Sequence, residues 1–175
     1  LVSRPNRWAV VGAAIVHPVI GRLLLVTFLG GFAFSGIESI FGLWTQARLN
    51  WGPHQIGSAF GIVGVVAAFC QIALTGRLAQ RFGARRVIGG GMAITVVCFA
   101  LQPFSTGAAM TIVLLAGATF GQAISWPTIA ALISQNADPR QHGQYLGLNN
   151  AAGAAARLAG PLVLGLGFSA QVDLP

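Results

Sequence analysis

The chain has 175 residues, 55% hydrophobic and only 7% charged, with ten arginines, no lysine, three acids and a net charge of +7. A soluble domain of this size carries ~25% charged residues. The composition therefore excludes an ordinary water-soluble enzyme and a disordered chain, and two cysteines inside apolar runs exclude a disulfide-stapled secreted domain.

A helix crosses ~30 Å of hydrocarbon with ~20 mostly apolar residues. The opening run, Trp8 to Ile20, is too short for that and is interrupted by His17-Pro18, so it reads as a short interfacial helix. The first full-length span runs from Leu23 to Trp44, with Glu38 its only charge, and the second from Gln55 to Thr75, uncharged throughout. No charge occurs between Arg86 and Asp138, and Gln102-Pro103-Phe104-Ser105-Thr106-Gly107 places a turn inside that stretch. It therefore divides into a third span, Val87 to Leu101, and a fourth, Ala108 to Ile133. The fifth runs from Gln144 to Phe168 with Arg157 inside it. The class expected is an all-α polytopic membrane protein with five transmembrane helices, residues 1–21 forming a loop with the interfacial helix and residues 22–175 the bundle.

The basic residues sort by side. With five spans, Arg4, Arg7, Arg22, Arg77, Arg81, Arg85, Arg86 and Arg140 fall on one side and only Arg48 on the other. Positive charge collects on the cytoplasmic face, so the Arg-rich loops are expected inside, in the cell's inner membrane, with Trp44 and Trp51 at the outer interface. The same placement argues against a nucleic-acid partner, which would want a basic face on a polar domain.

The segment Gly76-Arg77-Leu78-Ala79-Gln80-Arg81-Phe82-Gly83-Ala84-Arg85-Arg86 resembles the signature loop of the major facilitator superfamily, G-x-L-A-D-R-x-G-R-R-R. Gly76, Leu78, Ala79, Arg81, Gly83, Arg85 and Arg86 match; Gln80 stands for the usual Asp and Ala84 for one Arg. The superfamily carries this loop after its second helix and a weaker copy after its eighth, and the missing Asp resembles the weaker copy. Phe32 to Phe41, Gly117-x-x-x-Gly121-x-x-x-x-x-Pro127 and Gly143-Gln144-x-x-Gly147 with Arg157-Leu158-Ala159-Gly160-Pro161 are similar to the seventh, tenth and eleventh helices of its drug/proton antiporters, tetracycline-efflux proteins above all. The resemblance implies helices seven to eleven of a twelve-helix transporter. The opening residues then correspond to the central cytoplasmic loop, with the N-terminal half and the last helix not included. It further implies that Gly76, Arg81, Gly83, Arg85 and Arg86 form a conformational gate.

Several side chains are candidates for substrate or proton coupling. Glu38 is the only acid within a span, and a carboxylate there faces a cavity, pairs or takes a proton, or else snorkels to the outer interface. Arg157 is the only base within a span and stays charged. By rise from Arg22 and Gly143 the two lie near one depth, so they are expected to pair; bonding of Arg157 to carbonyls freed by Pro161 is the alternative. Gln122 and Trp126, with Ser125 and Pro127, make either a substrate wall or packing glue. Asn149, Asn150 and Gln71 carry the same two readings, and Phe34 lies on the first span beside Glu38. Gly57, Gly61 and Gly64, Gly117 with Gly121, and Gly143 with Gly147 are expected to let helices approach closely. His17, His54 and His142 are too scattered for a metal site, and no nucleophile-base set or phosphate loop occurs, so neither a cofactor nor enzyme chemistry is expected. The function expected is proton-coupled efflux of hydrophobic drug-like compounds by alternating access. Its partners are the lipid bilayer, a small-molecule substrate, the proton and the N-terminal half of the same chain. Uptake of a small metabolite, or a non-transport membrane assembly role, are the alternatives.

Overall fold

The structure, a computed structural model, describes residues 7–139 and 141–172, with side chains from 11–139 and 141–166. Arg4 and Arg140, and the side chains of Arg7 and of Phe168 at the expected end of the fifth span, lie outside what is described. Seven α-helices occur among the described residues: α1 (Arg7–Val16), α2 (Ile20–Leu49), α3 (Pro53–Phe69), α4 (Thr75–Phe82), α5 (Ala84–Leu101), α6 (Ala108–Asn136) and α7 (His142–Val172). A π-helical turn, Cys70–Leu74, joins α3 to α4, and a 3-10 turn, Gln102–Phe104, follows α5.

Four helical stretches are long and apolar enough to cross a membrane: Ile20–Leu49, Pro53–Phe82, Ala84–Phe104 and Ala108–Asn136. They hold the first four expected spans. The fifth corresponds to α7, which at 31 residues is as long but carries Asn149, Asn150 and Arg157. Each helix outruns its apolar stretch. A hydrogen-bonded backbone does not stop where lipid stops; it stops where a residue breaks it.

The breaks have visible causes. The His17 ring accepts backbone N–H bonds from Val19 and Ile20 through Nδ1, both at 3.3 Å, and so caps α2. Asn50, at φ 53°, ends α2 in the left-handed region, and the Trp51 N–H reaches back to the Thr45 carbonyl. Gly52 and Pro53 then start α3, with the Gln55 side chain accepting the Gly52 N–H at 3.0 Å. Gly83 alone separates α4 from α5, at φ 82°, a value that favours glycine. The Arg-rich segment is thus mostly helix rather than loop, because nothing before Gly83 interrupts the ladder.

The chain forms two compact units: residues 1–39 with 130–175, and residues 40–129. In the second unit Phe41, Trp51, Ala59 and Leu115 make one buried cluster. Phe41 meets Trp51 and Phe60 edge-on, with centroids 6.3 and 5.7 Å apart. Trp51 is therefore a core residue, not the interface anchor its position at a helix end predicts. Cys70, Val87, Ala123 and Ile124 make a second cluster. Buried hydroxyls bond back to their own helix: Thr45 to the Phe41 carbonyl, Thr119 to Leu115, Ser125 to Gly121, Thr128 to Ile124.

Close helix approach occurs at some of the expected glycines and not at others. A Cβ on Gly121 would strike the Gly91 carbonyl, and one on Gly117 would lie 2.7 Å from the Cys98 sulfur. At Gly57, Gly61, Gly64, Gly143 and Gly147 nothing described lies within 4 Å of such a Cβ. The close-packing expectation fails for those five. A small residue permits approach, but only an opposing groove produces it.

Candidate functional site

In the first unit α2 and α7 cross through small residues. A Cβ on Gly31 would lie 3.1 Å from that of Ala156, and one on Gly160 would lie 2.5 Å from the Phe32 carbonyl and 2.9 Å from the Gly36 nitrogen. The contacts advance together along both helices, so the two run in the same direction, as five alternating spans require.

Polar groups fill the same crossing. The Thr27 hydroxyl donates to Asn149 Oδ1 at 2.8 Å. The Ser35 hydroxyl donates to the carbonyl of Arg157 at 3.2 Å. That second bond has a covalent origin. Pro161 stands four residues after Arg157 and has no N–H, so the helix leaves the Arg157 carbonyl without its usual donor. In a membrane such a group must be satisfied from within the protein, and Ser35 of α2 does it. The sequence reading linked Pro161 with freed carbonyls near Arg157; the freed carbonyl is Arg157's own, and the donor is a neighbouring helix.

The Arg157 side chain leans back towards the start of α7. A Cβ on Gly153 would lie 3.8 Å from Arg157 Nη2 and 3.7 Å from Thr27 Cγ2. Thr27, Asn149 and Arg157 thus gather around Gly153: a hydroxyl, an amide and a guanidinium on one small floor. Arg157 is exposed and Asn149 half-buried. Glu38, also exposed, lies three residues past Ser35, ~4.5 Å further along α2. The head group of Arg157 goes the opposite way. The expected side-by-side pairing of Glu38 with Arg157 does not follow from this geometry, because depth arithmetic located their backbones and not the direction of a long side chain. Phe34, half-buried, sits on α2 beside Ser35.

Gln122 and Trp126 belong to the second unit, on α6. The Gln122 side chain is buried, at 5% exposure, and Trp126 is half-buried. Pro127 follows within the helix and withholds an N–H from the Ala123 carbonyl. In the same unit the side chains of Arg77, Arg81, Arg85 and Arg86 are exposed, with the Arg81 guanidinium 5.6 Å from the centre of the Phe82 ring. Gly76 lies inside α4 with open space beside it, and Gly83 is the turn.

Sequence reasoning missed Thr27 and Ser35. The signal was present: Thr27-x-x-x-Gly31-x-x-x-Ser35 is a small-residue stripe at four-residue spacing, facing Asn149-x-x-x-Gly153-x-x-x-Arg157.

Comparison with known proteins agrees with this architecture. The Major Facilitator Superfamily model matches residues 23–172. The class C tetracycline resistance protein of Escherichia coli is 25% identical over 158 residues, 89% of this chain and 39% of its own length. Multidrug resistance protein 2 of Bacillus subtilis is 25% identical over 161 residues, 91% of this chain and 40% of its own. The quinolone resistance protein NorA of Staphylococcus aureus is 27% identical over 153 residues, 87% of this chain and 39% of its own. The chain thus spans about 40% of the length of these relatives.

Proposed function

Because the chain belongs to the Major Facilitator Superfamily, whose members are transport proteins rather than enzymes, we propose that the whole protein exports hydrophobic drug-like compounds in exchange for protons, by alternating access. The chain is a multi-pass membrane protein of this family; its substrate, coupling ion and direction are our reading. The relatives named for tetracycline, multidrug and quinolone resistance support it. The observation that carries it is the polar crossing of α2 and α7, where hydroxyl, amide and guanidinium groups meet within otherwise apolar helices.

In this reading the chain supplies helices seven to eleven, and the preceding half of the protein completes the cavity. Arg157, Asn149 and Thr27, with Phe34 of the same unit, hold the substrate; Gln122 and Trp126, on α6 of the second unit, are substrate-contact residues in their own right. Glu38 takes up and releases the proton; a carboxylate in a helix with no other acid is suited to that exchange. The Arg-rich segment, with Gly76, Arg81, Gly83, Arg85 and Arg86, faces the cytoplasm and acts as the gate, Gly83 being the one residue there free to swing without breaking a helix.

The test is accumulation of a fluorescent hydrophobic drug in efflux-deficient bacteria making the full-length protein. Energised cells should hold several-fold less dye than controls, and a protonophore should abolish the difference. Equal accumulation across a panel of drug classes, or export that survives the protonophore, contradicts the proposal.

A further inference from the structure

The second unit carries Arg48, Arg77, Arg81, Arg85 and Arg86 and not one Asp or Glu between Ile40 and Ile129. Four of these arginines fall within ten residues, all with exposed side chains. Like charges so close repel unless anions lie among them, and this unit has none to offer. The counter-charge must come from outside it.

Beside the cluster lies a groove of about 250 Å³. Its walls are Leu78 and Phe82 of α4, Ile94 of α5, and Phe120 and Ile124 of α6, with Arg86 as its only charged residue. Gly90 leaves the trough open, with nothing within 4 Å of a Cβ built on it, while Gly91 forms its floor against the Gly121 carbonyl and Ile124 of α6. Phe82 and Ile94 are 49% and 39% exposed, so the groove opens on an apolar surface. From Arg86 to Ile94 is eight residues of α5, or ~12 Å, which fits within one leaflet of a ~30 Å hydrocarbon layer.

We propose that this groove binds an anionic phospholipid, its phosphate on Arg86 and an acyl chain over Gly90 between Phe82, Ile94 and Phe120. The arginine cluster selects net negative headgroups, as basic residues at a membrane surface do. The groove gives the lipid one fixed place among many diffuse ones. The site depends on residence in a bilayer and not on transport, so a transport-inactive protein retains it.

The experiment is native mass spectrometry of the full-length protein, exchanged in detergent against phosphatidylglycerol and phosphatidylcholine of identical chains. Phosphatidylglycerol should be retained with at least about tenfold preference. Arg86→Gln should reduce its retention about tenfold, as for a lost charge-assisted hydrogen bond. Arg77→Gln, away from the groove, should reduce it no more than about fivefold. Gly90→Leu, which fills the trough, should expel the lipid with every arginine intact. Glycerol phosphate alone should not compete. Equal retention of both lipids, unchanged retention in Gly90→Leu, or full competition by glycerol phosphate overturns the proposal. If Arg86→Gln does not fold, Gly90→Leu and the competition decide the matter.

Discussion

The α2/α7 crossing and the α5/α6 crossing use the same device for different ends. Both bring two backbones together at glycine: Gly36 with Gly160 in one, Gly91 with Gly121 in the other. At α5/α6 the Thr95 hydroxyl bonds both to the Gly91 carbonyl in its own helix and to the Ala118 carbonyl of α6, each at 3.1 Å. It is buried, at 4% exposure, and uses its oxygen within the protein. At α2/α7 the bonding groups are a hydroxyl, an amide and a carbonyl freed by proline, with a guanidinium beside them that is exposed. The first arrangement holds helices together. The second does so while keeping a charged side chain, Arg157, exposed beside the crossing.

Substitutions should separate the two. Gly121→Ala drives a methyl group into the Gly91 carbonyl, a backbone atom that cannot rotate aside, and should destabilise by ~2–3 kcal/mol. Fluorescence-detected size exclusion should show far less monodisperse protein, and transport per folded molecule should be unchanged. A normal yield would mean that the crossing is looser than described.

Ser35→Ala comes next. It removes the donor to the Arg157 carbonyl and should cost ~1 kcal/mol in thermal stability. Pro161→Ala restores an N–H to that carbonyl, so in its background Ser35→Ala should cost nearly nothing. An equal loss in both backgrounds would show that the proline does not create the need for Ser35.

Thr27→Val should cost less, ~0.6 kcal/mol, the usual size of an interhelical bond in a membrane, yet lower transport by releasing Asn149. Unchanged transport would remove Asn149 from the site. Smallest of all is Gly57→Ala. With open space around it, added helix propensity should leave stability unchanged or raise it by up to ~1 kcal/mol. A loss would indicate a neighbour packed against α3.

These contrasts also mark what the sequence makes legible. Hydropathy located the membrane helices, because burial in lipid demands long apolar runs whatever the packing. It misplaced their ends, which depend on single breakers such as Asn50 and Gly83. It put Trp51 at an interface, because composition at a helix end cannot tell a ring folded inwards from one left outside. Glycine spacing found Gly117 and Gly121 but equally named Gly57 and Gly61, since the motif records one surface and packing needs two. The Arg157 and Pro161 pair could be read from its four-residue spacing; its partner Ser35 lies 122 residues away, and no local rule reaches that far.

The most direct test of the account is drug export by the full-length protein carrying Glu38→Gln, at membrane levels matched to the wild type. Among the described residues no hydrogen bond across either crossing involves Glu38, so the protein should fold normally while gradient-driven export falls at least tenfold. Export at the wild-type rate, still abolished by a protonophore, would contradict the role given to this carboxylate.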